Sequence, residues 1–115
     1  MSNSTFSGNT ATYDGGGIYN AGSGTVTVSN STFSGGSANW GGGIYNANNG
    51  EVTVSNSTFF NNDAHGGGIY TFSGMVIVSN STFYSNSGYE GGGIYNRYGT
   101  MIVRNTTFSD NTGGG

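Results

Sequence analysis

The sequence predicts an all-β chain, a parallel β-helix solenoid of about four coils of about 25 residues, with three short strands per coil. Three observations carry this. GGGIY begins at Gly15, Gly41, Gly66 and Gly91, so it recurs at 26, 25 and 25 residues. SNSTF ends at Phe6, Phe33, Phe59 and Phe83, with RNTTF ending at Phe108, at intervals of 27, 26, 24 and 25. The apolar residues between these signatures keep one phase from repeat to repeat. The chain is read as one repeat domain spanning 1–115.

The first strand of the unit is TVTVS. Val26 and Val28 alternate with Thr and Ser, as residues on one face of a strand do. Phe33 lies five residues after Val28 and has the wrong parity for that face on a straight strand. A turn is therefore expected at Ser29-Asn30, where Asn tolerates the left-handed conformation. The strand carrying Phe33 follows, and a second turn is expected in Ser34–Asn39. A third is expected after GGGIYN, in Ala21–Gly24.

Stacking equivalent strands in parallel, about 4.8 Å apart, names the inward columns. They are Ile18, Ile44, Ile69, Ile94; Val26, Val52, Val76, Met101; Val28, Val54, Val78, Val103; and Phe6, Phe33, Phe59, Phe83, Phe108. A small-residue column of Ala11, Ala38 and Ala64 is expected beside them. The Gly-Gly-Gly runs are read as tight corners where backbone approaches backbone and a Cβ would clash. No GKS or GKT follows them, and each leads into a strand, so they are not phosphate loops.

Two asparagine columns accompany the turns. Asn3, Asn30, Asn56, Asn80 and Asn105 are expected to stack as an amide ladder at the first turn. Asn20, Asn46 and Asn96 form another, interrupted by Thr71. The first five also match the glycosylation sequon. A turn role explains all five, and glycans at such spacing would collide.

Bulk properties exclude several functions. With 24 Gly, 32% hydrophobic and 6% charged residues, the composition would pass for a flexible tract were the apolar columns not in register. Net charge is −3 and the only basic side chains are Arg97 and Arg104, too few for nucleic-acid binding. There is no cysteine and no apolar run long enough to enter a membrane. The acids Asp14, Glu51, Asp63, Glu90 and Asp110 are scattered over different coils. No metal, no cofactor and no catalytic residue is therefore expected.

Two surface groups are candidate ligand sites. Four residues before each column Ile stand Asp14, Trp40, His65 and Glu90. An indole beside an imidazole and a carboxylate suits a sugar, by stacking and hydrogen bonding, or an acid–base pair. The plainer reading is a loop position whose chemistry drifts because it faces water. One residue after each Ile stand Tyr19, Tyr45, Tyr70 and Tyr95, expected to point outward as a shield or a flat aromatic platform. A Thr column (Thr5, Thr32, Thr58, Thr82, Thr107) has the regularity of an ice-binding face. The column beside it is irregular, with Phe60 and Tyr84 among serines.

The paired motifs resemble those of the polymorphic outer-membrane proteins, in which GGA followed by Ile, Leu or Val alternates with FxxN. Here Gly15-Gly16-Gly17-Ile18 and its three copies carry Gly in place of Ala. FxxN stands at Phe6–Asn9, Phe59–Asn62, Phe83–Asn86 and Phe108–Asn111, and fails where Gly36 follows Phe33. The resemblance implies a right-handed β-helix of pectin-lyase-like architecture, as in autotransporter-like adhesins at the cell surface or secreted. The expected function is non-enzymatic, structural and adhesive. The alternative is a carbohydrate-binding or polysaccharide-lyase-like fragment, and ice binding is third. Expected partners are glycans, host or cell-surface molecules, and other copies of the chain stacked end to end. The repeat begins and stops in mid-phase, at Gly113-Gly114-Gly115, as in a fragment of a longer array or an uncapped stacking unit.

Overall fold

A computed structural model describes residues 1–113; Gly114 and Gly115 of the final glycine run lie outside the described residues. The chain winds through β1 (Thr5–Ser7), β2 (Ile18–Asn20), β3 (Thr25–Ser29), β4 (Thr32–Ser34), β5 (Ile44–Ala47) and β6 (Glu51–Ser55). It continues through β7 (Thr58–Phe60), β8 (Asp63–Gly66), β9 (Ile69–Phe72), β10 (Met75–Ser79) and β11 (Thr82–Tyr84). The last turns of the solenoid hold β12 (Ser87–Gly91), β13 (Ile94–Arg97), β14 (Thr100–Arg104), β15 (Thr107–Ser109) and β16 (Thr112–Gly113). No helix occurs among the described residues.

Every strand pairs in parallel with its equivalents one coil away. Three sheets follow the expected division: β1-β4-β7-β11-β15, β3-β6-β10-β14 and β2-β5-β9-β13. The fourth, β8-β12-β16, is an addition to the three strands expected per coil. It lies between each Phe strand and the following glycine corner, in the last three coils.

The four apolar columns hold in register, Phe against Phe, Val against Val and Ile against Ile. Their middle members, including Phe33, Phe59, Phe83, Val54 and Ile69, are buried. The phenylalanine rings lie face to face, with centroids 4.6 Å apart from Phe6 to Phe83. Met101, Val103 and Phe108, the last members, remain exposed on the axial face. The alanines expected inside, Ala11, Ala38 and Ala64, are only half-buried. Ala64 belongs to the fourth sheet, where it is followed by Gly88 and then Gly113, while Ala11 and Ala38 lie outside the strands.

The corner after each Val strand contains a left-handed residue. Asn3, Asn30, Asn56, Asn80 and Asn105 have φ between 47° and 52°. They are exposed, and no side-chain hydrogen bond forms from any of them among the described residues, which corrects the expected amide ladder there. Asn serves at that turn through its backbone. The ladder is built instead by the next residue. Ser57 Oγ accepts from Ser31 N at 3.1 Å, and Ser81 Oγ accepts from Ser57 N at 3.1 Å. Each of these hydroxyls donates to the carbonyl two residues before it.

The second asparagine column does form its ladder. Asn20 Nδ2 donates to Asn46 Oδ1 at 2.8 Å, and Asn46 Nδ2 to Thr71 Oγ1 at 3.0 Å. Beyond Thr71 the chain of bonds stops, and Asn96 Oδ1 is shielded with no partner among the described residues. A third ladder uses the FxxN asparagines. Asn62 Nδ2 donates to Phe33 O and Asn86 Oδ1, both at 3.0 Å, and Asn86 Nδ2 repeats the pattern with Phe59 O and Asn111 Oδ1. Where FxxN fails, the backbone N–H of Gly36 donates to Asn62 Oδ1 at 2.9 Å. The motif thus closes the polar side of the Phe corner. The glycine corner is equally constrained: a Cβ on Gly43 would lie 2.6 Å from Gly68 O and 2.9 Å from the Phe59 ring.

Candidate functional site

Tyr19, Tyr45, Tyr70 and Tyr95 stand in register on the outer face of β2-β5-β9-β13. They do not make a flat platform. Tyr19 and Tyr45 stack at 5.2 Å and 10°, but Tyr45 meets Tyr70 edge-on at 64°, and Tyr70 is tilted 43° from Tyr95. Tyr70, expected to face water, is 1% exposed. The cover is Trp40, whose ring lies 5.3 Å from Tyr70 and 6.3 Å from Tyr45. The two candidate groups are therefore one continuous aromatic face.

The Trp40, His65 and Glu90 column is held by backbone pairing one coil to the next. Gly66 N donates to Trp40 O at 2.8 Å, and His65 N to Asn39 O at 2.9 Å. Between β8 and β12 the register slips: Ala64 faces Gly88, yet Gly66 faces Gly91. This bulge sets two residues, Tyr89 and Glu90, against the single His65. Bulges of this kind re-aim side chains. His65 is enclosed by Trp40 at 4.9 Å on one side and Tyr89 at 5.4 Å on the other. Its Nδ1 faces Glu90 Oε2 at 3.8 Å, and among the described residues neither atom has a hydrogen-bond partner although both are shielded from water. That separation exceeds a hydrogen bond. The length of the loop is the sequence signal that marks this spot. Phe59 to Gly66 spans seven residues, and Phe83 to Gly91 spans eight.

On the far flank of the tyrosines, the Arg97 guanidinium lies 5.8 Å from the Phe72 ring centre and 5.2 Å from that of Tyr98. Hydrogen bonding to the Tyr98 and Tyr70 hydroxyls raises its pKa further. Burial first, then the neighbouring phenols and Asp14, pushes the Tyr45 hydroxyl up; burial also dominates at Tyr70, opposed by Arg97. Both phenols are protonated donors at neutral pH. Asp14 acts on the face through its charge on Tyr45.

Two other features lie apart from this face. The Thr column is in register, and Phe60 stacks on Tyr84 at 5.0 Å in the column beside it. A hollow of about 350 Å³ opens on the axial face, lined by Gly93, Ile94, Met101, Phe108 and Asn111. Its lining includes the last members of the Ile, Val and Phe columns, Ile94, Met101 and Phe108. Among the described residues no three His, Cys, Asp or Glu side chains converge as metal ligands.

Parallel strands wound in register round stacked Phe, Val and Ile columns define a β-helix. The chain belongs to the family described as right handed beta helix region, whose model matches residues 1–115. No curated protein and no solved structure matches it.

Proposed function

We propose that this chain is a non-catalytic, adhesive β-helix of a cell-surface or secreted protein, of the polymorphic outer-membrane type. The observation that supports this is the continuous aromatic face, in which Trp40 roofs Tyr45 and Tyr70 beside His65 and Tyr89. Aromatic rings flanked by hydrogen-bonding groups are what a recognition surface presents. Most other buried polar side chains are consumed by the internal ladders. Binding to cells and to a glycan array tests the reading. Trp40→Ala should lower the signal at least tenfold while the fold persists. Equal binding by the variant would remove the face from the account.

A polysaccharide-lyase-like reading has one observation in its favour, the imidazole and carboxylate of His65 and Glu90 at 3.8 Å. A carboxylate-oriented imidazole is a general-base arrangement. Eliminative cleavage of an acidic polysaccharide, abolished by Glu90→Gln, would establish it over the adhesive one.

A further inference from the structure

His65 and Glu90 make an unusual pair. Nδ1 and Oε2 are both shielded from water, both lack a hydrogen-bond partner among the described residues, and the two face each other at 3.8 Å. A proton on Nδ1, with a small rotation closing the 3.8 Å gap, would satisfy both atoms at once. In a neutral imidazole, the nitrogen that donates to a carboxylate leaves the other as an acceptor. The His65 side chain as a whole is 33% exposed, so the ring reaches solvent away from the shielded Nδ1. The imidazole lies between the rings of Trp40 and Tyr89, and Tyr89 is 79% exposed.

Building on the adhesive reading of this face, we propose that Glu90 fixes the Nδ1–H tautomer of His65, so that Nε2 accepts a hydroxyl from a neutral saccharide whose ring stacks on Trp40 or Tyr89. The tilted rings on either side offer apolar surfaces to the C–H face of a pyranose. Glu90 and the net charge of −3 disfavour an acidic sugar at the same spot. Glu90 is a positioning residue here, acting through His65. The bulge between Gly88 and Gly91 is what brings it opposite the imidazole.

Two measurements on the 115-residue chain test this. Long-range nitrogen–proton NMR reads the His65 tautomer without any ligand. The Nδ1–H form should dominate in the wild type near neutral pH, and Glu90→Gln, whose amide can donate to Nδ1, should shift the ring to the Nε2–H form. Titration with neutral gluco- and manno-oligosaccharides, followed by the fluorescence of Trp40, the single tryptophan, reads the site. Wild type should respond, and Glu90→Gln and His65→Ala should each weaken binding at least tenfold. Asp63→Asn, two residues before His65 on the same strand, should not. A wild-type Nε2–H tautomer would overturn the positioning role whatever the titration shows. The predicted tautomer with no response to any neutral sugar would overturn the ligand assignment. If cell binding still falls in Trp40→Ala in that case, the adhesive reading stands without it.

Discussion

The Phe59 column and the Trp40 face occupy the same coils but follow opposite rules. At the first, each coil repeats its neighbour in residue, register and ring plane, with centroids 4.6 Å apart. At the second, equivalent positions hold Trp, His and Glu, the loop changes length, and the rings tilt at 44° and 52° to one another. Inside a thin prism a stacked column has one solution, so the sequence repeats it. On a surface loop, chemistry is free to vary, and the proposed recognition would use that freedom.

This division gives stability predictions that decrease in size. Phe59→Ala should cost about 3–5 kcal/mol, because the side chain is fully buried between two rings. Chemical denaturation would show it, and a silent truncation would break the contrast. Asn86→Ala should cost about 1–3 kcal/mol, since it strands Phe59 O and the Asn62 amide. The outward Asn80 is the matching control. Asn80→Gly should be near neutral, because glycine also adopts its φ of 49° and no side-chain bond is lost. Thr71→Asn should stabilise by about 1 kcal/mol, by carrying the ladder on to the unpartnered Asn96 Oδ1.

The smallest effect concerns alkaline pH. Tyr45 and Tyr70 have raised pKa values in the fold, chiefly through burial. The folded state then holds its phenolic protons more tightly than the unfolded state. The associated stability is fully present below the unfolded value of about 10 and is lost as pH rises through the folded pKa. Tyr45→Phe and Tyr70→Phe should each flatten the decline in melting temperature above that pH. An unchanged slope would mean that these phenols are not held as described.

Much of the fold was legible because the Ile, Val and Phe columns repeat, and any parallel stacking must place like on like. The turn at Ser29-Asn30 followed from parity alone, and Asn30 indeed has a φ of 50°. Which polar residue builds each ladder was not legible in the same way. Asn30 and Ser31 are adjacent, and only the backbone angle decides that Ser31 turns inward while Asn30 faces water. The FxxN asparagines stood out as a motif, but their role depends on Phe carbonyls in another coil.

At the candidate site, the column of Trp40, His65 and Glu90 was visible from spacing. Its merger with the tyrosines was not, because Trp40 crosses from the loop onto the sheet of the next coil. Burial of Tyr70 follows from that crossing. The bulge that sets Tyr89 and Glu90 against His65 was present as a one-residue change in loop length.

A saturation substitution scan of the whole chain, scored separately for folding and for binding to cells or glycans, tests the central claim most directly. The claim is that repeated columns build the solenoid and the variable face recognises the ligand. Substitutions at Phe33, Phe59, Phe83, Asn62 and Asn86 should fail the folding score. Those at Trp40, His65 and Glu90 should pass it and fail the binding score. Binding that survives every substitution at these three positions, or that tracks folding at all positions alike, would contradict the account.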